Sequence, residues 1–205
     1  MSMSTMNATE FMAAIKNRRT IYALGKESTI SDSRIQEIVE EAVKHTPSAF
    51  NSQSSRLVVL FGEQHDKLWN ITTDVLKAIV PPDQFQSTQD KMNGFRAGHG
   101  TVLFFEEMQV IENLQQQFAA YQDRFPVWAQ QTSAMHQLVV WTAFEAEGLG
   151  ASLQHYNPLI DDKVKAEWSL PDSWQLIAQM PFGKPTAGPG DKQFQPVSER
   201  VKVFK

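Results

Sequence analysis

Residues 46–53 read TPSAFNSQ, a loop-forming stretch between an amphipathic segment and an apolar run. Pro47 disfavours helix at the residue before it, so the 3.6-residue pattern of Ile35, Ile38, Val39, Ala42 and Val43 must end here. That helix starts near SDSR (31–34), where Ser31 or Asp32 can serve as N-cap. Beyond the loop, RLVVLFG (56–62) is β-rich, apolar and closed by glycine, which predicts a buried strand. Asn51 and Gln53 set carboxamides among small residues. Together with backbone N–H groups they suit the polar edge of a heterocycle that must approach closely. A plain helix-to-strand turn has the same composition.

Upstream, NRRT (17–20) follows TEFMAAIK, a helical pattern with Thr9 as N-cap and Phe11, Met12 and Ile15 on one face. The guanidinium forks of Arg18 and Arg19 match phosphate oxygens, and the Thr20 hydroxyl adds a donor. The ordinary alternative is a solvated helix end, where cations suit the macrodipole. Downstream, GLGASLQHYNP (148–158) ends a long helical pattern with glycine and continues as a polar loop. Its ordinary alternative is a glycine cap followed by a turn.

The rest of the chain is an alternation of helices with a few strands. EQHDKLWNITTDVLKAIV (63–80) reads as a helix with Leu68, Ile71, Val75 and Ile79 inward, broken by PPDQFQ. GTVLFFEE (100–107) and WQLIAQMPFG (174–183) read as buried strands, and ASLQHY (151–156) as a short one. The longest helix is expected from about Pro126 to Glu147. Val127, Met135, Leu138, Val139, Trp141 and Phe144 are its apolar positions and Gly148 its stop. DDKVKAEWSL (161–170) predicts a short helix ending before Pro171, and KPTAGPGDKQFQP (184–196) a loop. RVKVFK (200–205) alternates and suits addition of a strand to a sheet edge. The expected architecture is α+β in one domain over 1–205.

Composition excludes several classes. A net charge of −4 and a pI near 5.7 argue against nucleic acid as a partner. The N-terminus lacks the charged and apolar regions of a signal peptide, and no apolar run is long enough for a bilayer. A cytoplasmic protein with no membrane partner is expected. The chain has no cysteine, so disulfides, zinc thiolates and thiol redox chemistry are absent, and any electron transfer falls to a bound cofactor. Neither GxGxxG after a strand, nor a phosphate-binding GxxxxGK[ST], nor a GxSxG elbow occurs. His45, His65, His99, His136 and His155 are scattered, so no metal site is expected. The carboxylate pairs Glu106–Glu107 and Asp161–Asp162 read as solvated strand and helix ends.

Taken in order, RRT, PSAFNSQS, GLGA and the basic tail SERVKVFK resemble the nitroreductase family of FMN-dependent oxidoreductases, from about Thr9 to Lys205. GTVLFFEE and QHYNP resemble the short branch that includes the fatty-acid-repression and stress-linked members. Two departures stand out: Ser54 replaces the family's frequent proline after Gln53, and QHYN replaces its acidic loop beside the flavin.

The resemblance implies a mostly antiparallel central sheet flanked by helices, with the C-terminal strand exchanged in a homodimer. It implies that Arg18, Arg19 and Thr20 contact the FMN phosphate and ribityl chain, with Arg200 and Lys202 adding positive charge. Pro47, Ser48, Ala49, Asn51 and Gln53 would reach the flavin across the dimer interface, and Lys91 its pyrimidine edge. Gln154, His155, Tyr156 and Asn157 would run beside the ring, with His155 and Tyr156 as candidate proton donors. The implied reaction passes electrons from NADH or NADPH to a nitroaromatic or quinone-type small molecule by a ping-pong mechanism. The alternative is a flavin-binding protein of redox or lipid-stress regulation with little turnover.

Overall fold

The computed structural model describes residues 7–205. Five strands form one sheet in the order β1 (Leu24–Gly25), β5 (Trp174–Pro185), β3 (Gly100–Glu107), β2 (Ser55–Phe61), and β4 (Gly150–Ala151) also pairs with β5. Every strand pair is antiparallel. The helices are α1 (Ala8–Asn17), α2 (Asp32–His45), α3 (Gly62–Lys77), α4 (Phe85–Arg96), α5 (Met108–Gln117), α6 (Phe125–Ala146), α7 (Asp161–Glu167) and α8 (Val197–Arg200). The expected α+β architecture is therefore what forms.

The central strand β3 explains its own sequence. Val102 and Phe104 face one core with Ile35, Val39, Val140 and Phe144, which are carried by α2 and α6. Leu103 and Phe105 face the other with Leu68, Trp69, Met92 and Phe95, which are carried by α3 and α4. Burial of both faces demands an unbroken apolar run instead of an alternating one. In β5 the register steps from Ala178 opposite Phe104 to Leu176 opposite Phe105, leaving Ile177 as an extra residue. That bulge moves Leu176 into the second core while Ala178, Met180 and Phe182 stay in the first.

Several expectations change in detail. The cap of α1 is Asn7, whose side chain accepts from Thr9 N–H, in place of Thr9. Ser31 caps α2 as expected, but Val43 is exposed. β2 is only partly buried, with residues of intermediate exposure on both faces, and it lies at the end of the sheet order. Ile79 lies past the end of α3 and is exposed, whereas His65, Trp69 and Thr72 are buried. Helices α4 and α5 had no counterpart in the sequence reading. ASLQHY contributes the two residues of β4 less Gly150, plus one bridge from Gln154 to Gln179.

Helix α6 runs Phe125–Ala146 and ends at Gly148, whose φ of 81° favours glycine. It buries Phe144 but leaves Val127, Met135, Leu138 and Val139 exposed, so these are not core positions within one chain. Residues 201–205 carry no secondary structure, and Val201, Val203 and Phe204 are exposed. Arg200 closes α8 instead of opening a strand.

Candidate functional site

Arg18 follows α1 and lays its guanidinium over the Trp141 ring of α6, 4.3 Å from the centroid. Its Nε is buried with no hydrogen-bond partner among the described residues. Arg19 donates through Nη2 to the Gly190 carbonyl in the glycine-proline loop. Thr20 forms a parallel bridge with Ala151, and Ile21 N–H donates to Ala151 O at 2.9 Å. The approach depends on Gly150, where a Cβ would sit 2.9 Å from Ile21 Cγ2. The structure thus brings RRT and GLGA together. A cavity of about 530 Å³ opens there, lined by Arg19, Ile21, Glu145, Gly148, Leu149 and residues 185–189.

The QHYN segment is held by a residue the sequence reading did not single out, Gln179 of β5. Its backbone exchanges hydrogen bonds with Gln154 at 2.7 and 2.9 Å. Its side-chain oxygen accepts from Tyr156 N–H at 2.7 Å, and its amide lies 3.5 Å from Asn157 Oδ1. A wholly buried glutamine in an apolar strand was the available signal. His155 is exposed. Tyr156 packs edge-on to Trp69 and Phe95, and the Lys91 ammonium lies 6.0 Å from its ring. Lys91 and Tyr156 therefore meet. Burial first, and the neighbouring Tyr22 second, push the Tyr156 phenol up to about 12, which keeps its proton in place at neutral pH.

The 47–53 loop is a strained turn. Phe50, Asn51 and Gln53 have φ of 57°, 50° and 48°, left-handed values that cost roughly 1–3 kcal/mol each in a non-glycine residue. Ser48 Oγ accepts from Gln53 N–H at 3.0 Å, and Arg56 donates to the Gln53 and Ser55 carbonyls at 2.8 and 3.0 Å. Phe50 leans on Phe118, Phe125 and Trp128, with centroids 4.9, 5.3 and 5.9 Å away. Ser48, Asn51 and Gln53 line a second cavity of about 680 Å³ with Ser55, Arg56 and His136. Pro47 lines a neighbouring groove with Glu37, Glu41 and Val139, and Ala49 opens the short 3-10 turn of the loop. Neither the 530 Å³ nor the 680 Å³ cavity is lined by both Arg19 and this loop. Arg200 and Lys202 line neither; Lys202 donates to Ser198 O.

One carboxylate was misread from the sequence. Glu106 is fully buried in β3, receiving Ser54 and Ser55 hydroxyls at 2.5 and 2.6 Å. Burial pushes its carboxyl above the usual range against the opposing pull of the two serines. Asp161 is half-buried and is likewise raised, chiefly by burial, so neither pair is wholly a solvated end. Glu107 is the more exposed partner, held below the usual range by hydrogen bonds that include those of Ser173 and Trp174, despite some burial.

Among the described residues no helix is long and apolar enough to cross a membrane, and no group of three or more His, Cys, Asp or Glu is placed to hold a metal. The nitroreductase family matches residues 15–184. The Saccharomyces cerevisiae protein HBN1 is 38% identical over 95% of this chain and 96% of its own length, and the nitroreductase FRM2 of the same organism is 34% identical over the same shares. The structure of nitroreductase CinD from Lactococcus lactis in complex with nicotinic acid is 47% identical. It covers 95% of this chain and all of its own, with a TM-score of 0.89. Further CinD structures hold chloramphenicol and 4-nitrophenol, with TM-scores of 0.88 and 0.87. With its cysteine-free chain folded around an arginine pair, a glycine-capped central helix and a strained polar loop, this protein belongs to the nitroreductase family and has its FMN-dependent oxidoreductase fold.

Proposed function

We propose that this protein transfers electrons from NADH or NADPH through FMN to nitroaromatic or quinone-type acceptors, with donor and acceptor occupying one site in turn, in the cytoplasm. The observation that carries the reading is the junction of 18–20 with 148–151. It sets Arg19 on an open cavity that Glu145 also lines, with Arg18 and Thr20 adjoining it in the chain, and among the described residues leaves Arg18 Nε buried and unpartnered. An anionic ligand with phosphate oxygens fits that need. CinD holding flat aromatic rings supports the acceptor class.

FMN, when bound, supplies the redox centre. The chain would supply binding and orientation: Arg18, Arg19 and Thr20 would hold the phosphate end, while Lys91, Gln154, Tyr156 and Asn157 would border the ring. Tyr156 keeps its phenolic proton and would offer it to the ring's surroundings, whereas His155 is exposed to solvent. The strained 47–53 loop supplies Pro47, Ser48, Ala49, Asn51 and Gln53 to the site of a second copy, since within one chain it and Arg19 line different cavities. The exposed apolar residues of α6 suit such a dimer face, and the outer edge of β2, which has no strand partner among the described residues, suits strand addition by the tail.

Kinetic and assembly measurements test this. Shared occupancy requires the donor to leave before the acceptor binds, so double-reciprocal plots at several acceptor concentrations are expected to be parallel. Tyr156→Ala is expected to change acceptor preference more than FMN affinity. Intersecting lines would mean a second binding place, and a flavin left oxidised by both anaerobic NADH and NADPH would favour the regulatory reading. Separately, removal of residues 196–205 is expected to lower both dimer content and flavin occupancy, read by light scattering and absorbance. A truncated chain that stays a fully loaded dimer would contradict tail exchange.

A further inference from the structure

The 47–53 loop has no regular ladder to hold its left-handed residues, yet its C-terminal end runs directly into a buried carboxylate. Ser54 and Ser55 are the first residues after the loop, both are buried, and both hydroxyls donate to Glu106, one to each oxygen. Ser54 O also accepts from Glu107 N–H at 2.8 Å, so backbone and side chain converge on the same point. From Ser55 the contacts continue to His136 of α6, whose Nδ1 lies 3.3 Å from Ser55 Oγ and 2.9 Å from Thr132 O. His136 in turn lines the cavity that Ser48, Asn51 and Gln53 face.

Leaving a carboxyl group in the core is unfavourable unless its hydrogen bonds are complete. Here, among the described residues, the two that complete it through side chains are the two that terminate the loop. An apolar residue would fill β3 at lower cost, so stability alone does not account for a glutamate at this position. We propose that Glu106 is a positioning residue for the flavin-contacting loop: by gripping Ser54 and Ser55 it fixes the backbone of 50–53 in the conformation that presents Asn51 and Gln53. This rests on the reading of function above for the identity of the ligand, but not for the grip itself.

The geometry also orders the variants. Glu106→Leu keeps the volume and removes both acceptors. Glu106→Gln keeps hydrogen-bonding capacity, because a serine hydroxyl can accept from the new amide as well as donate to its oxygen. Should Glu106→Leu not fold, Ser54→Ala and Ser55→Ala each release one side of the grip while leaving the sequence of β3 intact.

Hydrogen exchange of the apo-protein, read by mass spectrometry over 48–55, is the first measurement. Glu106→Leu is expected to speed exchange there while peptides of β3 and β5 stay near wild type, and Glu106→Gln to restore protection. FMN titration is the second: Glu106→Leu is expected to weaken affinity about tenfold, the equivalent of one lost interaction. The visible circular dichroism of the flavin at saturation should also change, which a uniform loss of stability would not cause. Uniform acceleration across the whole chain, or wild-type exchange in the loop, would overturn the proposal. Faster loop exchange with unchanged FMN affinity and flavin spectrum would overturn the link to the flavin. If wild-type protein takes no FMN, the functional reading falls, and the exchange result alone upholds or overturns the hold of Glu106 on the loop.

Discussion

Arg19→Ala is expected to weaken FMN binding by about ten- to a hundredfold, the loss of one charge-assisted hydrogen bond worth roughly 1.5–3 kcal/mol. Among the described residues Arg19 makes one side-chain hydrogen bond, to Gly190 O, so most of its fork remains for a ligand in the adjoining cavity. It is only partly buried, and its removal should leave the melting temperature of the apo-protein nearly unchanged. Arg19→Lys restores the charge without the planar fork and should recover affinity only in part. Arg18 is the useful contrast. Its guanidinium rests on Trp141, so Arg18→Ala removes packing between α1 and α6 as well as a ligand contact. Its stability and its flavin affinity should fall together. Calorimetric titration of each apo-protein with FMN decides the matter. Wild-type affinity in Arg19→Ala would return this residue to the role of a solvated helix end.

What the sequence disclosed follows from how much each residue's surroundings constrain it. β3 and β5 were legible because both of their faces are covered, and burial on both sides writes a continuous apolar run. The 47–53 loop was legible because proline and small polar residues interrupt two clear periodicities. Glu106 was not, since an acid beside a second acid at a strand end resembles a solvated terminus. Its parity was the unused clue: two residues beyond Phe104 and four beyond Val102, it lies on the same face of β3 as those two. Helix α4 escaped because it buries only Met92 and Phe95, and a polar segment containing Gly94 has little periodicity. For α6 the difficulty was of another kind. Its apolar residues surround the helix, so periodicity identifies a helix but cannot say which face meets its own sheet and which is left for another surface.

Acidification to pH 4 is expected to cost the fold on the order of 3 kcal/mol through His65 alone. The residue sits on α3 with 1% of its surface exposed, and its hydrogen bonds define one tautomer. Trp69 Nε1–H donates to Thr101 Oγ1 at 3.0 Å, so the threonine hydroxyl is free to donate to His65 Nδ1 at 2.8 Å. Nε2–H then donates to Arg96 O at 3.2 Å. Every hydrogen has an acceptor in the neutral ring. A proton added at Nδ1 would confront the Thr101 hydroxyl and place a charge in the core. Burial accordingly lowers the His65 imidazole from 6.5 to about 4, more than the Arg96 carbonyl can offset. Because the folded value lies below the unfolded one, the unfolded chain binds the extra proton between those two values. The stability contributed is complete above about 6.5 and is lost as pH falls toward 4. His65→Gln cannot titrate but can still donate to Arg96 O, so it separates this group from Glu106, His136 and Asp161. Urea denaturation at pH 7 and pH 4 should show wild type losing on the order of 3 kcal/mol more than His65→Gln over that interval. Equal losses in the two proteins would mean that His65 accepts its proton in the folded state as readily as in the unfolded one, and that the Trp69–Thr101–His65 network does not hold the ring neutral.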